Sequence, residues 1–314
     1  MAKDTEPAYL RLLASGRFDE RLKRAFNRMR SCDLCPRRCG VNRLHGSLGA
    51  WCRTGSRAVV ASFGPHFGEE KPLVGQYGSG TIFFGHCNLA CVFCQNWDIS
   101  QAQARGRTVS PAALASMMLA LQRQGCHNIN LVSPSHAVAP ILAAVRLAAR
   151  RGLRLPLVYN SGGYDCLETL ALLDGIIDIY MPDMKFADSG VAAPLLGVPD
   201  YAEVNRAAVL AMHRQVGDLR IDDRGIANRG LLVRHLILPE NLAGTERIVA
   251  FLSEQVSRDT YINLMDQYHP CHRAADYPSL DRRPTLQELH KARKWAQKSG
   301  LWRFDTADEK TTPG

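Results

Sequence analysis

The sequence predicts an α/β fold in which parallel strands alternate with helices in an open, partial barrel. From residue 80 onward, short apolar runs alternate with segments of helical periodicity. Such runs are typical of strands buried on both faces of a parallel sheet. Six strand–helix units are too few for a closed eight-stranded barrel. We therefore expect a partial (β/α)6 barrel of the TIM type, with its site at the carboxyl ends of the strands.

The elements before residue 80 do not follow this pattern. An amphipathic helix is predicted over residues 9–30, where Leu and Phe are interleaved with Arg and Lys. A cysteine-rich loop follows from Cys32 to Cys52, and Gly and Pro then favour an extended connector. These segments make up a basic N-terminal module over residues 1–57 and a connector over residues 58–79.

Residues 80–270 are predicted to form the core, and residues 271–314 a helical C-terminal tail. Strands are predicted over residues 81–84, 128–133, 155–160, 176–181, 231–238 and 261–265. Helices are predicted over residues 111–124, 140–151, 166–173, 201–215 and 245–257, with the tail helix over residues 285–299.

Composition and charge restrict the class of protein. With 46% hydrophobic and 22% charged residues, the 314-residue chain is neither a disordered nor a fibrous protein. The net charge of +9 arises between Arg11 and Arg57, where twelve basic residues face three acids, so the other 27 basic and 27 acidic residues cancel. This block favours an anionic partner such as nucleic acid or an acidic protein face. The alternative is a solvated helix face with arginines that compensate buried thiolates.

The sequence indicates a cytoplasmic protein that does not enter a membrane. Its longest candidate span, residues 136–149, is too short to cross a bilayer and contains Arg146. The stretch from Met1 to Tyr9 lacks the apolar core of a signal peptide.

Seven of the ten cysteines form two groups with the spacing of metal ligands. The first group is Cys32, Cys35, Cys39 and Cys52, and the second is Cys87, Cys91 and Cys94. Without an export signal, such groups indicate metal or iron–sulfur ligands rather than disulfides. Soft thiolates favour zinc, copper(I) or iron–sulfur. The isolated Cys126, Cys166 and Cys271 are interpreted as small buried hydrophobic residues.

The second group, C-x3-C-x2-C, lies directly after the first core strand and supplies three thiolates. A cubane iron–sulfur cluster with three protein ligands leaves one iron open for a substrate or cofactor. The alternative is a zinc loop that takes a fourth ligand from elsewhere in the chain.

This motif resembles that of the radical S-adenosylmethionine (SAM) superfamily. The match runs from Cys87 through Asn-Leu-Ala-Cys-Val-Phe to Cys94, including the aromatic residue before the last cysteine. The chain looks most like the pyruvate formate-lyase activating-enzyme branch, and within it the uncharacterised PflX-type proteins. The stretches that carry this resemblance are residues 32–43, 78–100, 128–136, 178–185, 234–239 and 265–270.

The resemblance implies an oxidoreductase that uses a [4Fe–4S] cluster on Cys87, Cys91 and Cys94. In this family the open iron binds SAM, and one electron cleaves it to methionine and a 5′-deoxyadenosyl radical that abstracts hydrogen from a substrate. The residues that the resemblance places around SAM are Phe93, Ser133, Ser135, Asn160, Ser161, Asp183, Lys185, Arg234 and His269. Ser133 to His136 replace the Gly-Gly-Glu of many relatives, and Asn160 replaces an aspartate of the cation site.

The four N-terminal cysteines can complete a site by themselves. Four thiolates suit either tetrahedral zinc or a fully ligated iron–sulfur cluster, and spacing alone does not separate the two. The presence of the second group favours iron–sulfur.

Three classes of function remain open from the sequence. The first is a radical SAM enzyme acting on a small molecule or a protein, such as a glycyl-radical enzyme that it activates. Flavodoxin or ferredoxin would then supply electrons. The second is radical SAM modification of RNA, which the basic module would bind. The third is a non-enzymatic, cysteine-rich metal-binding protein.

Overall fold

The computed structural model describes residues 6–102 and 106–305 of the chain. The outer ends of the predicted N-terminal module and C-terminal tail, residues 1–5 and 306–314, lie outside this part. The strands are β1 (Ala58–His66), β2 (Ser79–Phe84), β3 (Arg107–Val109), β4 (Ile129–Val132), β5 (Leu157–Ser161), β6 (Ile179–Pro182), β7 (Arg220–Ile221), β8 (Ala227–Leu236), β9 (Tyr261–Met265) and β10 (Arg303–Phe304).

Helices lie between most of these strands. The α-helices are α1 (Ala8–Ala14), α2 (Arg17–Arg28), α3 (Lys71–Val74), α4 (Trp97–Ser100), α5 (Pro111–Arg123), α6 (Val138–Arg150), α7 (Leu167–Leu173), α8 (Ser189–Leu196), α9 (Tyr201–Val216), α10 (Thr245–Phe251) and α11 (Leu286–Lys298). A π-helical turn, Leu252–Val256, continues α10.

The strands form one mostly parallel sheet, which confirms the α/β prediction. Its order is β10-β9-β8-β6-β5-β4-β2-β1-β3, and every pair from β10 to β2 is parallel. Strand β1 pairs antiparallel with both β2 and β3, and β7 pairs antiparallel with β8. Because β2, β4, β5, β6, β8 and β9 run the same way, their carboxyl ends meet at one edge of the sheet.

Burial explains why the apolar runs form these strands. Every residue of β5 and β6 is buried, so neither face of these strands meets solvent. Helices α5 and α6 pack on each other, and Met118 and Leu142 are fully buried in the main core. Complete burial of one such side chain contributes about 1.5–3 kcal/mol to folding. No helix in residues 6–102 and 106–305 is long and apolar enough to cross a membrane.

The structure corrects the sequence prediction in three places. The helix predicted over residues 9–30 is two helices, because Gly16 adopts a left-handed conformation (φ 72°) between α1 and α2. The connector predicted over residues 58–79 contains β1, which is hydrogen-bonded into the sheet. The helical tail predicted over residues 271–314 contains β10, which pairs with β9.

Candidate active site

A tightly held loop follows the carboxyl end of β2 and carries Cys87, Cys91 and Cys94. Its backbone bonds to several different elements. The N–H groups of Ala90 and Val92 donate to the last turn of α8 at 3.0 and 2.9 Å. The Gln101 side chain donates to the Cys91 carbonyl oxygen at 2.8 Å. These partners fix the backbone of the loop, and with it the positions of the three thiols.

Cys91 is buried, Cys87 and Cys94 are half-buried, and the three thiols are close enough for their charges to interact. Burial raises the pKa of Cys87 to about 11, and negative charge on Cys94 adds to this effect. Burial also raises the pKa of Cys91, while the nearby Lys185 ammonium lowers it. The Leu89 N–H donates to the Cys87 sulfur at 3.4 Å. The three thiols therefore form one cluster, and a cation stands beside it.

The three thiols open into a cavity of about 360 Å³ at the carboxyl edge of the sheet. Of the residues predicted to surround SAM, those that line the cavity are Phe93, Ser133, Asn160, Ser161, Asp183, Lys185 and Arg234. The structure does not bring Ser135 or His269 to this lining. Ser135 is buried and its hydroxyl bonds to Asp165, while His269 is exposed and its Nδ1 lies 3.4 Å from the Gln267 carbonyl oxygen.

A charged network occupies one wall of the cavity. Both oxygens of Asp183 accept hydrogen bonds: Oδ1 from Arg234 Nε at 2.8 Å and Oδ2 from Lys185 Nζ at 2.6 Å. Arg234 also donates from Nη2 to Asn160 Oδ1 at 2.7 Å. Burial would raise the pKa of Asp183, but Arg234 and Lys185 outweigh it and hold the pKa below its usual value. The Asp183 carboxylate in this wall therefore lies between two cations.

Asp165 and Gly163 shape the end of β5, and neither was singled out from the sequence. The carboxylate of Asp165 accepts from the Ser161 hydroxyl at 2.6 Å and from the Tyr159 hydroxyl at 2.8 Å. Gly163 has a φ of 72°, and a Cβ atom there would lie 2.1 Å from the Asp183 carbonyl oxygen. The backbone after β5 thus packs against the backbone after β6, which only glycine permits at this point.

The sequence matches the radical SAM superfamily over residues 81–212. This match begins within β2 and takes in the cysteine loop and most of the cavity. The chain belongs to the radical SAM superfamily. Members of this superfamily are enzymes, and membership implies a [4Fe–4S] cluster and SAM as cofactors.

Two curated relatives of this radical SAM protein come from Methanocaldococcus jannaschii. The uncharacterized protein MJ0674 is 31% identical over 291 residues, which cover 90% of this chain and 79% of the relative. The uncharacterized protein MJ0808 is 26% identical over 297 residues, which cover 86% and 78%. Both matches therefore extend well beyond the part of the chain that matches the superfamily.

Two solved structures are similar to this chain at greater distance. One is the structure of TYW1 with a lysine-pyruvate adduct bound, which is 12% identical with a TM-score of 0.46 and covers 71% of this chain and 74% of that one. The other is the radical SAM methyltransferase TsrM from Kitasatospora setae, which is 17% identical with a TM-score of 0.42 and covers 60% and 36%. At this distance they carry no information on substrate.

The residues of this radical SAM site fit the implied cofactors. Three cysteines line one cavity, and thiolates are the ligands that hold iron–sulfur clusters. The cavity volume is also within the range of about 300–1,000 Å³ that is usual for small-molecule sites.

No role at this site was predicted from the sequence for Glu69, His66 or Cys271. Glu69 lines the cavity, its side chain is 7% exposed, and its Oε2 lies 3.9 Å from Arg234 Nη1. His66 lines the same cavity from the end of β1. Glu69 and His66 come from the segment predicted as a connector, where no motif marked them. Cys271, interpreted as isolated, donates to the Phe93 carbonyl oxygen at 3.3 Å and lies close enough to Cys94 for their charges to interact.

Proposed function

We propose that this chain binds a [4Fe–4S] cluster through Cys87, Cys91 and Cys94 and cleaves SAM reductively to abstract hydrogen from a substrate. The observation that carries the proposal is that three cysteines on one hydrogen-bonded loop line a single cavity, which the charged wall completes. Three protein ligands leave one iron of the cluster free for SAM. When bound, the cluster supplies the electron that splits the carbon–sulfur bond of SAM.

The charged wall suits the methionine end of SAM. Lys185 and Arg234 provide the positive charge that a carboxylate needs, and Asp183 holds both side chains in place. The Ser133 hydroxyl, on the cavity lining after β4, suits the methionine ammonium group as an acceptor. The chain therefore replaces the usual glutamate of this position with a neutral group.

Phe93 belongs to the adenine side of the site. Its ring packs edge-on against Phe186 and Tyr268, with centroids 5.9 and 6.2 Å away, so its backbone is fixed. Phe93 itself lines the cavity.

Within this chemistry, the resemblance favours an activase that makes a glycyl radical on a partner protein. A partial barrel admits an extended protein loop, as such a reaction requires. The test is electron paramagnetic resonance (EPR) of a candidate glycyl-radical enzyme after incubation with this protein, SAM and reductant. A glycyl doublet supports the activase role, and its absence with every co-encoded candidate argues for another substrate.

The electron donor we propose is a flavodoxin or ferredoxin in the cytoplasm. Such proteins are acidic, and the excess of positive charge of this chain lies entirely within residues 11–57. Lys23 and Arg24 of α2 are exposed and can meet an acidic surface.

The proposed function is tested by anaerobic reconstitution with iron and sulfide, reduction with dithionite and measurement of 5′-deoxyadenosine. We expect the wild-type protein to form 5′-deoxyadenosine from SAM and Cys91→Ala to form none. Cys126→Ala is the matched control, because Cys126 is a buried core cysteine outside the cavity lining. Equal product from wild type and Cys91→Ala, or none from wild type, would contradict the proposal.

A further inference from the structure

Residues 29–57, all of which the structure describes, form neither helix nor strand, yet part of this segment is as deeply buried as the core. Arg43 and Leu34 are each 1% exposed, and Cys32, Cys35 and Cys52 are also buried. Segments of this length without secondary structure are uncommon in compact domains unless they serve a function. We therefore expect that something other than secondary structure, such as a bound group, holds this segment in place.

Hydrogen bonds hold the cysteine-bearing stretches of this segment against one another. The Cys32 N–H donates to the Val41 carbonyl oxygen at 2.9 Å, and the Gly40 N–H donates to the Cys32 carbonyl oxygen at 3.0 Å. The Trp51 N–H reaches the Cys39 sulfur at 3.5 Å. The chain therefore turns back at residues 32–41, and the stretch around Trp51 contacts the stretch around Cys39.

Arg43 ties the first cysteine to the last. Its Nη1 donates to the Cys32 sulfur at 3.5 Å, while its Nε donates to the Thr54 carbonyl oxygen at 2.6 Å. A buried guanidinium therefore donates to the sulfur of Cys32 and stabilises its charged form, which is the form that binds metals.

The four cysteines lie in one compact part of this segment. Cys32, Cys35 and Cys52 are buried and Cys39 is half-buried. The Thr54 hydroxyl donates to the Cys52 carbonyl oxygen at 2.8 Å, and the Thr54 carbonyl oxygen accepts from Arg43, which also donates to the Cys32 sulfur. Thiolates gathered in this way repel one another unless a positive centre lies between them, and a bound metal centre supplies that charge.

Arg37 joins this segment to the catalytic loop. Its Nε donates at 2.8 Å to the carbonyl oxygen of Asn88, the residue after Cys87, and its guanidinium stacks on the Trp51 ring at 3.7 Å. Arg37 lies between Cys35 and Cys39 in the chain, and Asn88 follows Cys87. This one hydrogen bond therefore links the N-terminal cysteine segment to the catalytic loop.

We propose that Cys32, Cys35, Cys39 and Cys52 hold a second iron–sulfur cluster, which Arg37 places beside the catalytic cysteine loop. The site itself is independent of the proposed function, and its pairing with a catalytic cluster rests on that function. Four thiolates complete the ligand set, so this cluster has no open iron and serves to store or pass one electron.

The position of this site suits a cluster rather than zinc. Zinc has no redox chemistry, whereas an iron–sulfur cluster can store or pass an electron. The segment that carries the four cysteines contacts the catalytic loop through Arg37 and Asn88, so a cluster here would lie next to the place where an electron is used.

The deciding experiment uses the full chain with Cys87→Ala, Cys91→Ala and Cys94→Ala combined, prepared anaerobically. We expect this triple variant to retain iron and inorganic sulfide in equal amounts and to give an EPR signal after reduction that SAM leaves unchanged. Zinc without sulfide, or no metal at all, would overturn the proposal. Retention of the cluster in the triple variant supports the second site even if the wild-type protein forms no 5′-deoxyadenosine, so the two proposals fail separately.

The converse variant removes the N-terminal thiols. Replacing all four by alanine is expected to abolish the SAM-insensitive signal and keep the SAM-responsive one. If this variant does not fold, Cys39→Ser is the milder test, because Cys39 is the least buried of the four. We expect it to lower the intensity of the SAM-insensitive signal, with Cys166→Ala as the control.

The position of the second cluster beside the catalytic loop is tested separately, by the width of the EPR signals. When both clusters are reduced, their unpaired spins lie close enough to broaden each other's EPR signals. We expect the wild-type spectrum to be broader than the sum of the two single-cluster spectra. A simple sum would show that the second centre is remote from the catalytic loop.

Discussion

Arg234 and Asp183 are joined twice, once through their side chains and once through their backbones. Arg234 Nε donates to Asp183 Oδ1 at 2.8 Å, and the two residues also form an isolated parallel bridge beyond the paired part of β6 and β8. The Met184 N–H donates to the Arg234 carbonyl oxygen at 2.8 Å. The charged wall of the cavity is therefore built into the sheet and does not depend on a ligand to form.

The first prediction concerns this charged wall. Asp183→Asn removes the carboxylate that holds Lys185 and Arg234. Lys185 then loses its hydrogen-bonded counterion, while Arg234 keeps the more distant Glu69, at 3.9 Å. Breaking a buried ion pair costs about 3–5 kcal/mol. We expect a lower melting temperature and SAM binding weakened at least about tenfold, a factor that corresponds to about 1.4 kcal/mol.

Asp188→Asn is the control for this variant, because Asp188 pairs with Arg247 on the exposed surface, where ion pairs contribute little. Equilibrium dialysis with radiolabelled SAM measures the affinity. Unchanged SAM binding by a folded Asp183→Asn protein would show that the wall does not hold SAM.

The second prediction concerns Gly163. An alanine there meets two obstacles, the left-handed backbone and the Asp183 carbonyl oxygen at 2.1 Å from the new Cβ. Gly175→Ala is a matched control, because Gly175 has nearly the same φ, 74°, and nothing lies within 4 Å of the place where its Cβ would be. This control measures only the loss of stability, about 1–2 kcal/mol, that comes from placing a residue with a Cβ atom in the left-handed conformation.

Thermal unfolding of the two glycine variants is the measurement. We expect Gly163→Ala to lower the melting temperature well beyond Gly175→Ala, because the segments that follow β5 and β6 must separate. Equal losses of stability would mean that the close backbone approach is not a constraint.

The third prediction is a loss of stability in mild acid from His235. This ring is buried between the Met184 carbonyl oxygen, 2.6 Å from Nδ1, and the Thr245 hydroxyl, 2.8 Å from Nε2. Burial lowers its pKa to about 4. Because the unfolded chain takes up a proton near pH 6.5 and the folded chain does not, the stabilisation is present above pH 6.5 and is lost as the pH falls toward 4.

The size of this effect follows from the difference in pKa, and is about 3 kcal/mol. His235→Gln keeps a donor and an acceptor at this position but does not titrate. We expect the melting temperature of the wild type to fall more steeply than that of His235→Gln between pH 7 and pH 5. Parallel curves would place the acid sensitivity at another group.

The fourth prediction concerns electron delivery to the basic module. Changing the exposed Lys23 and Arg24 to glutamate reverses charge on α2 without touching the core. We expect reduction by an acidic flavodoxin to slow at least about tenfold, with a weaker dependence on salt. Reduction by dithionite should be unchanged.

Lys294→Glu with Lys298→Glu is the control for these variants, since both lysines are exposed on α11, outside the basic module. Stopped-flow absorbance of the flavodoxin measures the rate. If the two double variants slow reduction equally, the net charge of the protein, rather than the surface of α2, governs its association with flavodoxin.

The sequence predicted the parallel core because burial on both faces leaves a clear apolar signal. The run at Tyr261–Met265 matches its strand at both ends. The strand β1 escaped prediction because Gly64 and Pro65 interrupt its pattern and it pairs antiparallel at the side of the sheet. Its register depends on β2 and β3, which no local pattern reveals.

The residues of the site divide in the same way, into those that local spacing marks and those that depend on contacts distant in sequence. Cys87, Cys91 and Cys94 are set by local spacing, so the sequence located them directly. Glu69 and Asp165 act through contacts that local spacing does not mark, and a single sequence has no signal for such contacts. Ser135 matched a motif, but the turn after β4 aims its hydroxyl at Asp165 rather than into the cavity.

The most direct test is whether SAM binds to iron of the cluster held by Cys87, Cys91 and Cys94. Electron–nuclear double resonance of the reduced holoenzyme, with SAM labelled with ¹⁵N in its amino group, measures this contact. We expect a ¹⁵N hyperfine coupling in the wild-type protein that persists in Cys126→Ala and is lost in Cys91→Ala. A reduced cluster on these three cysteines that shows no coupling to bound, labelled SAM would contradict the assignment of an open iron.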